Sequence, residues 1–409
     1  MAQPTVTFWG AARTVTGSMH LVEANDRRVL LDCGLERGPR AEVRLRDEFP
    51  FDPRSIDAVI LTHAHTDHCG LLPALVHQGF DGPIYCTPAT RDLTAVMLAD
   101  SVRIREARAL SAALAGLPAA DEGADFGRPD AVQAIRDCVP VEYGDITSLG
   151  GGLEFTLADA GHLLGSAMVH LRIAAGPGDL SLTYTGDLGR RSLPLHGPPA
   201  PVPPADLLIS ESTYGGTRHD TIEQTTELLA EIVRRTIDRG GKVLIPAFSL
   251  GRTELVLHVL RTAVRDGVLP AIPVFVDGPL ASDILDVYRA HAPELHGADG
   301  GSTDVSFDEL DVSYLRGVEE SKELNVRREP CVVVAASGMC EAGRILHHLK
   351  HNLDDPRASV ILVSFQAPLT VGARLLERAP TVRFLGRDWN KWADVYKLEG
   401  FSGHADQGD

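Results

Sequence analysis

Lysine is scarce in this sequence. Only Lys242, Lys322, Lys350, Lys391 and Lys397 occur among 409 residues, so nearly all positive charge is arginine. Even so, 39 basic residues face 56 acidic ones, a formal net charge of −17. So acidic a chain repels nucleic acid at long range and is no passive DNA coat, although a local basic groove is compatible with it. Aromatic residues make up 5%, which leaves little for base stacking. The six cysteines, Cys33, Cys69, Cys86, Cys138, Cys331 and Cys340, include no CxxC pair. That argues against a zinc ribbon or a disulfide frame and for reduced, mostly buried thiols. No apolar run approaches the ~18 residues of a membrane helix. The start, MAQPTVTFWG, has no basic stretch followed by an apolar one, so the expected address is the cytoplasm. What is present is ordinary globular usage, 44% hydrophobic and 23% charged, in a length that suits two or three domains.

The first two hundred residues alternate short apolar runs with polar turns. Thr5–Trp9, Met19–Glu23, Arg28–Asp32, Ala58–Thr62, Gly152–Asp159, Ala167–Ile173 and Leu180–Thr185 read as strands, and Thr90–Ala115 as a long helix. Pro194 to Pro204 then holds six prolines in eleven residues, a stiff connector and candidate boundary. Beyond it strands and helices alternate. Strands are expected at Asp206–Ser210, Lys242–Pro246, Ile272–Val276, Cys331–Ala335 and Val360–Ser364. Helices are expected at Asp220–Gly240, Gly251–Val264, Leu280–Ala290 and Glu341–Leu349. Asp220 and Glu223 are spaced as a capping box. This grammar predicts a parallel sheet covered on both faces. Residues near 296–322 are acidic and rich in glycine and serine, and read as a long loop.

The strongest chemical signal is THAHTDHCG, Thr62 to Gly70, directly after a strand. Imidazole and carboxylate are zinc's usual nitrogen and oxygen donors. His63 and His65 can face one ion, and Asp67 and His68 a second; the plainer reading is a polar loop with Asp67 capping the next helix. One loop cannot complete two coordination shells. His162 in AGHLLGSA, Asp187 in TYTGDLGR and Asp32 in LDCG each stand at a strand exit, where residues gather into a site.

Together, LDCG, HAHTDH, GHLLGSA and TGD resemble the metallo-β-lactamase superfamily of two-metal hydrolases. GAARTVTGSMHLVE, ESTYGGTRH, PAFSLGRTEL, ASGMCEAGRILHHL and GFSGHAD resemble its β-CASP branch of RNA-processing nucleases. The resemblance implies an α/β architecture: an αββα sandwich with an inserted β-CASP domain on a mostly parallel sheet. Residues 1–205 would form the first domain, 206–385 the β-CASP domain, and 386–409 a truncated return to the first. Two zinc ions are implied. His63, His65 and His162 would hold the first, Asp67 and His68 the second, and Asp187 would bridge them. Asp32 would orient a ligand. Asp67, Glu211 and His404 are the implied catalytic residues, with His404 facing the scissile phosphate and Glu211 orienting it. The family has a further histidine downstream of His404. The chain ends at Asp409, so truncation and an incomplete second zinc site are expected.

The implied function is zinc-dependent cleavage of RNA phosphodiester bonds through a metal-bound hydroxide, by endonuclease action, with 5′–3′ exonuclease action as an additional option. The alternatives are hydrolysis of DNA or a thioester, or a non-catalytic role in an RNA-processing complex. Single-stranded RNA is the expected partner, and a homodimer is compatible with the reading. Arg252 and Arg344, near expected helix starts, are candidates for phosphate binding. Arg105, Arg108, Arg190 and Arg191 are further candidates.

Overall fold

The computed structural model describes residues 3–36, 49–116, 126–175, 178–296, 305, 307 and 310–409. These divide into two compact units. The first holds residues 1–189 and 198–213, the second 190–197 and 214–409.

The first unit contains two sheets. One runs in the order β1 (Thr5–Phe8), β2 (His20–Ala24), β3 (Arg27–Leu31), β4 (Ala58–Ile60), β5 (Ile84–Cys86), β6 (Cys138–Pro140). Its first three strands are antiparallel, and β3 to β6 are parallel. The other contains β7 (Thr147–Gly150), β8 (Leu153–Asp159), β9 (Ala167–Ile173), β10 (Leu180–Tyr184) and β11 (Leu207–Ile209), side by side in sequence order. Successive strand residues point to opposite faces. The unbroken apolar runs of β3 and β4 therefore predict burial on both sides. Val29, Leu31 and Ile60 pack with Phe155, Val169 and Leu171 between the sheets. Leu30, Val59 and Leu61 pack on the opposite face with Leu72 and Leu75, Leu98 and Val102, and Ala134. Those residues belong to α2 (Leu72–His77), α3 (Pro88–Leu114) and α4 (Arg128–Arg136); the short α1 (Thr66–Cys69) precedes them. The result is a helical layer on two facing sheets.

The second unit is built on a six-stranded, wholly parallel sheet. Its strands are β12 (Val243–Pro246), β13 (Val274–Asp277), β14 (Val312–Leu315), β15 (Val332–Ala335), β16 (Ser359–Leu362) and β19 (Asp394–Lys397). The spatial order is β14-β13-β15-β12-β16-β19. β17 (Thr381–Phe384) and β18 (Arg387–Asn390) form a separate hairpin. The connecting helices are α5 (Ile222–Asp238), α6 (Arg252–Arg265), α7 (Pro279–Ala290), α8 (Val318–Val326), α9 (Ile345–Asn352) and α10 (Val371–Leu376).

Several expectations shift. The strand at Leu207–Ile209 pairs with β10, so the expected division at 205/206 falls one strand early. Residues 386–409 stay with the second unit, because β19 hydrogen-bonds to β16 instead of returning to the first. The proline-rich stretch is no free linker: Leu193 and Leu195 are buried. The capping box of α5 uses Thr221 and Gln224, one residue beyond the expected pair. α9 starts at Ile345, after Gly343 adopts a positive φ that ends the preceding turn. Of the acidic stretch near 296–322, residues 297–304, 306, 308 and 309 lie outside the described residues. The remainder includes β14 and the first turn of α8. All six cysteines are free and buried, as expected.

Candidate metal centre

Parallel pairing of β3 and β4 brings their carboxyl ends to one edge, where Leu31 lies opposite Ile60. Asp32 leaves β3 there and His63 follows β4. Asp32 adopts a left-handed φ of 59°. Its loop is stitched to α1 by the hydrogen bond from Cys33 N–H to His68 O (2.8 Å), and the segment before β2 joins them through Ser18 N–H to Asp67 O (2.8 Å). Gly34 is required by the closeness of this approach, since a Cβ would lie 1.6 Å from the Asp67 carbonyl oxygen.

The second sheet supplies the other donors. His162 lies in the β8–β9 loop, where Ser166 Oγ accepts the N–H groups of His162 (3.0 Å) and Leu163 (3.2 Å). The hydroxyls of Thr87 and Thr90, at the start of α3, both donate to Gly165 O at 2.7 Å and clamp the same loop. Asp187 follows β10. Glu211 Oε1 accepts the N–H of the next residue, Leu188, at 2.7 Å, and Glu211 Oε2 accepts Thr213 N–H at 3.2 Å.

Four donors converge, from His63, His65, His162 and Asp187, all within 4.8 Å of one another. His63 Nε2 is 3.1 Å from His65 Nδ1, and His162 Nε2 is 3.3 Å from the same atom. Asp187 Oδ2 is 3.4 Å from His63 Nε2 and 3.6 Å from His162 Nε2. A tetrahedron with arms of ~2.1 Å, the usual Zn–N length, has edges of about 3.4 Å. The spacing and the donor set therefore both fit a tetrahedral divalent metal. His63 and His162 are buried, which keeps competing water out.

His68 stands beside this group. Its Nε2 is 3.3 Å from Asp187 Oδ1 and its Nδ1 is 2.7 Å from Asp32 Oδ2. Burial alone would lower its pKa, but Asp187 and Asp32, one at each ring nitrogen, raise it well above the usual value. Asp32 is fully buried and saturated with donors: Thr62 N–H at 2.8 Å, Thr62 Oγ1 at 2.9 Å and Tyr184 OH at 2.7 Å, besides His68. Burial pushes this carboxyl up, yet His68 and the hydrogen bonds hold it below the ordinary carboxylate range. Tyr184 is in turn fixed by Ser18 Oγ at 2.6 Å. The bond to Asp32 fixes a proton of His68 on Nδ1, so Nε2, beside Asp187, is the nitrogen a metal would take once its own proton is displaced.

Asp67 occupies the first turn of α1, half-buried. Among the described residues, no three-donor set within 4.8 Å includes Asp67 or His68. The N-cap of α1 is His65, not Asp67. His404 belongs to the second unit, where its N–H donates to Ser402 Oγ at 3.2 Å and its ring lies 6.1 Å from that of Tyr214. Arg344 is engaged by Asp277 (2.5 Å), Leu315 O (3.0 Å) and Arg316 O (2.7 Å), which tie its guanidinium to the β13 and β14 strand ends. Arg190 is held by Gly400 O and Asp220 O. Arg105 lies 4.3 Å over the Phe126 ring. Sequence reading missed Tyr184 and Ser18, which lie unremarked inside the motifs, and Thr87 and Thr90, which lie in none of them.

Comparisons with known proteins agree with this geometry. The metallo-β-lactamase superfamily model matches residues 12–212, and the β-CASP domain model matches residues 253–375. Ribonuclease TTHA0252 of Thermus thermophilus is 41% identical over 98% of this chain and 88% of its own length. Transcription termination factor FttA of Methanocaldococcus jannaschii is 34% identical over 98% of this chain, which spans 63% of that longer protein. Among solved structures, a protein of unknown function from Enterococcus faecalis shares the fold with a TM-score of 0.54 at 16% identity, covering 99% of this chain and 89% of that one. With a convergent histidine–aspartate cluster at the edge of two facing sheets and a relative matched along nearly its whole length, the chain belongs to the metallo-β-lactamase superfamily of metal-dependent hydrolases, in the group that carries a β-CASP domain.

Proposed function

We propose that the protein is a zinc-dependent ribonuclease acting on single-stranded RNA. The observation that carries this reading is the tetrahedral spacing of His63, His65, His162 and Asp187, in a chain 41% identical to a protein named a ribonuclease. His63, His65, His162 and Asp187 would hold the first ion, and Asp187, His68 and Asp67 would hold a second. Nitrogen-rich donors favour zinc among the divalent metals. Bound metal would supply activation of water near neutral pH and neutralisation of phosphate charge.

The chain's own residues have separate tasks in this reading. Asp32, locked by Thr62 and Tyr184, keeps His68 in the tautomer that presents Nε2. Glu211 accepts Leu188 N–H and so holds the loop that carries Asp187. That makes Glu211 a positioning residue for the cluster as well as the acid that the resemblance pairs with His404. His404 would donate a proton to the leaving 3′-oxygen, a role that typically contributes about 10²–10⁴ in rate. The products would be a 5′-phosphate and a 3′-hydroxyl. The first unit would serve as the hydrolytic domain and the second as the β-CASP domain. Endonuclease action, 5′–3′ exonuclease action and a homodimer belong to the same proposal.

The test uses end-labelled single-stranded RNA, matching DNA and a thioester, each with wild type and His63→Ala. RNA cleavage is expected in wild type and a loss of at least 10³-fold in the variant, as for removal of a group on which the whole catalytic unit depends. Full-rate cleavage by His63→Ala would refute the reading. Turnover of DNA or thioester alone would move the activity to the alternative substrates.

A further inference from the structure

His20 is the first residue of β2 and pairs with Leu31, the residue before Asp32. It is buried, yet it belongs to no metal-donor set among the described residues. Two rings hold it edge-on, Phe8 with centroids 5.0 Å apart and Tyr184 at 5.2 Å. Its Nε2 lies 3.4 Å from Ser18 Oγ, which lies 2.6 Å from the Tyr184 hydroxyl. That hydroxyl lies 2.7 Å from Asp32 Oδ2, and the same carboxylate oxygen meets His68 Nδ1 at 2.7 Å. An unbroken line of polar contacts thus runs from His20 to the imidazole beside the cluster, all within the first unit.

Counting protons gives this line a direction. Asp32 is held as a carboxylate and only accepts, so the Tyr184 hydroxyl donates to it. A hydroxyl has one proton, so Tyr184 accepts at the 2.6 Å contact and Ser18 is the donor there. The Ser18 proton is then spent as well, and toward His20 its oxygen can only accept. Burial lowers the pKa of His20 against the pull of Asp32 and the Met19 carbonyl, so the ring is neutral and carries one proton. A neutral imidazole donates from one nitrogen and accepts at the other. The line requires the donor to be Nε2, and Nδ1, which has no side-chain partner among the described residues, is left bare. The opposite tautomer would either set two lone pairs face to face or draw the Ser18 proton to His20. In the second case the Tyr184 proton would turn to Ser18, away from Asp32.

We propose that His20 is a positioning residue of the metal centre: its Nε2–H fixes the direction of the line through Ser18 and Tyr184, so that Tyr184 donates to Asp32 and Asp32 stays aimed at His68. Hydrogen bonds in such a line polarise one another, which is how a residue three contacts away acts on the carboxylate. The role rests on the metal-centre reading and not on the choice of RNA as substrate.

Two measurements on the full chain test it. In metal-free protein with isotope-labelled histidine, long-range proton–nitrogen NMR correlation reads the tautomer of each ring, and His20→Gln identifies the His20 signals by their loss. A protonated Nε2 and a bare Nδ1 are expected, and the reverse would overturn the proposal. Zinc affinity is then measured by competition with a chromophoric chelator for wild type, Ser18→Ala, His20→Leu, His20→Gln and the Ser18→Ala/His20→Leu double variant. His20→Leu keeps apolar volume without a donor and is expected to weaken zinc binding about threefold, the scale of one weak hydrogen bond. Glutamine, whose terminal amide can donate from the place of Nε2, is expected to restore wild-type affinity. In the Ser18→Ala background His20→Leu is expected to cost nothing more, because the line is already cut. Equal losses with leucine and glutamine, or additive losses in the double variant, would make His20 a packing residue and overturn the proposal, as would wild-type affinity in His20→Leu. A wild type that takes up no zinc would refute the metal centre itself, and the role of His20 with it.

Discussion

Asp32 shows how much of a metal site lies outside its ligands. It touches no substrate in this account, yet it takes four hydrogen-bond donors and sets the tautomer of His68. Partners of this kind are typically worth about 10–100-fold in metal affinity. Asp32→Asn is therefore expected to weaken zinc binding by that factor, measured by competition with a chromophoric chelator, while the circular dichroism spectrum is unchanged. Tyr184→Phe removes one donor of the four and should lower affinity less. Equal zinc affinity in Asp32→Asn would contradict the role. The ligand candidates themselves were legible, because histidine and aspartate packed into HAHTDH leave few chemical uses other than metal. Tyr184 and Ser18 were not, because they reach Asp32 only through pairing of strands far apart in sequence, and one hydroxyl in a strand carries no pattern. Arg344 has partners that were invisible for a related reason. Its place near a helix start suggested anion binding, and the sequence carries no sign that buried Asp277, at the end of β13, pairs with the guanidinium.

Single elements were read well where periodicity was strong and less well at their ends. α5 was expected between a capping-box spacing at Asp220 and Glu223 and the stop at Gly240-Gly241, and Leu229, Ile232 and Val233 are buried along it. Its cap was misplaced by one residue, since both Asp220 and Thr221 are good caps and only the geometry chooses. Thr221 Oγ1 accepts Gln224 N–H at 3.2 Å. Thr221→Ala should thus cost about 1 kcal/mol in urea denaturation, whereas Asp220→Ala should cost much less. α6 holds a more consequential feature. Glu254 is fully buried, no side chain among the described residues partners its carboxyl oxygens, and burial pushes it up to about 8 from an ordinary 4.5 against the weaker pull of the Gly251 and Glu254 N–H groups. Between those values the folded chain keeps a proton that the unfolded chain releases. Stability is then highest below about pH 4.5 as far as this group is concerned, and falls as pH rises toward 8. The loss by pH 7 is about 3 kcal/mol on an order-of-magnitude basis. Glu254→Gln should remove that slope, so thermal melts between pH 5 and 8 should diverge from wild type increasingly with pH. Parallel curves for the two proteins would contradict it.

At the scale of the whole molecule, the order of elements announced two architectures, an antiparallel-to-parallel set first and an alternating strand–helix set later. Both are present. The boundary was drawn at the prolines because they forbid regular structure. Physically, the chain passes from one unit to the other and back across that stretch, and β11 pairs with β10 in the first unit before the chain leaves that unit at Thr213. Hydropathy cannot foresee that return, since a three-residue strand looks alike in either sheet. Among the described residues, no helix is long and apolar enough to cross a membrane. What unites the molecule functionally in this account is a metal held where strand ends of two sheets meet, and that claim can be tested directly. The protein would be stripped of metal, reconstituted with measured amounts of zinc, and assayed on single-stranded RNA at each step. The account predicts no cleavage without metal and a rate that rises with zinc bound until the sites are filled. Undiminished cleavage by metal-free protein, or a zinc-saturated protein inert toward RNA, would contradict it.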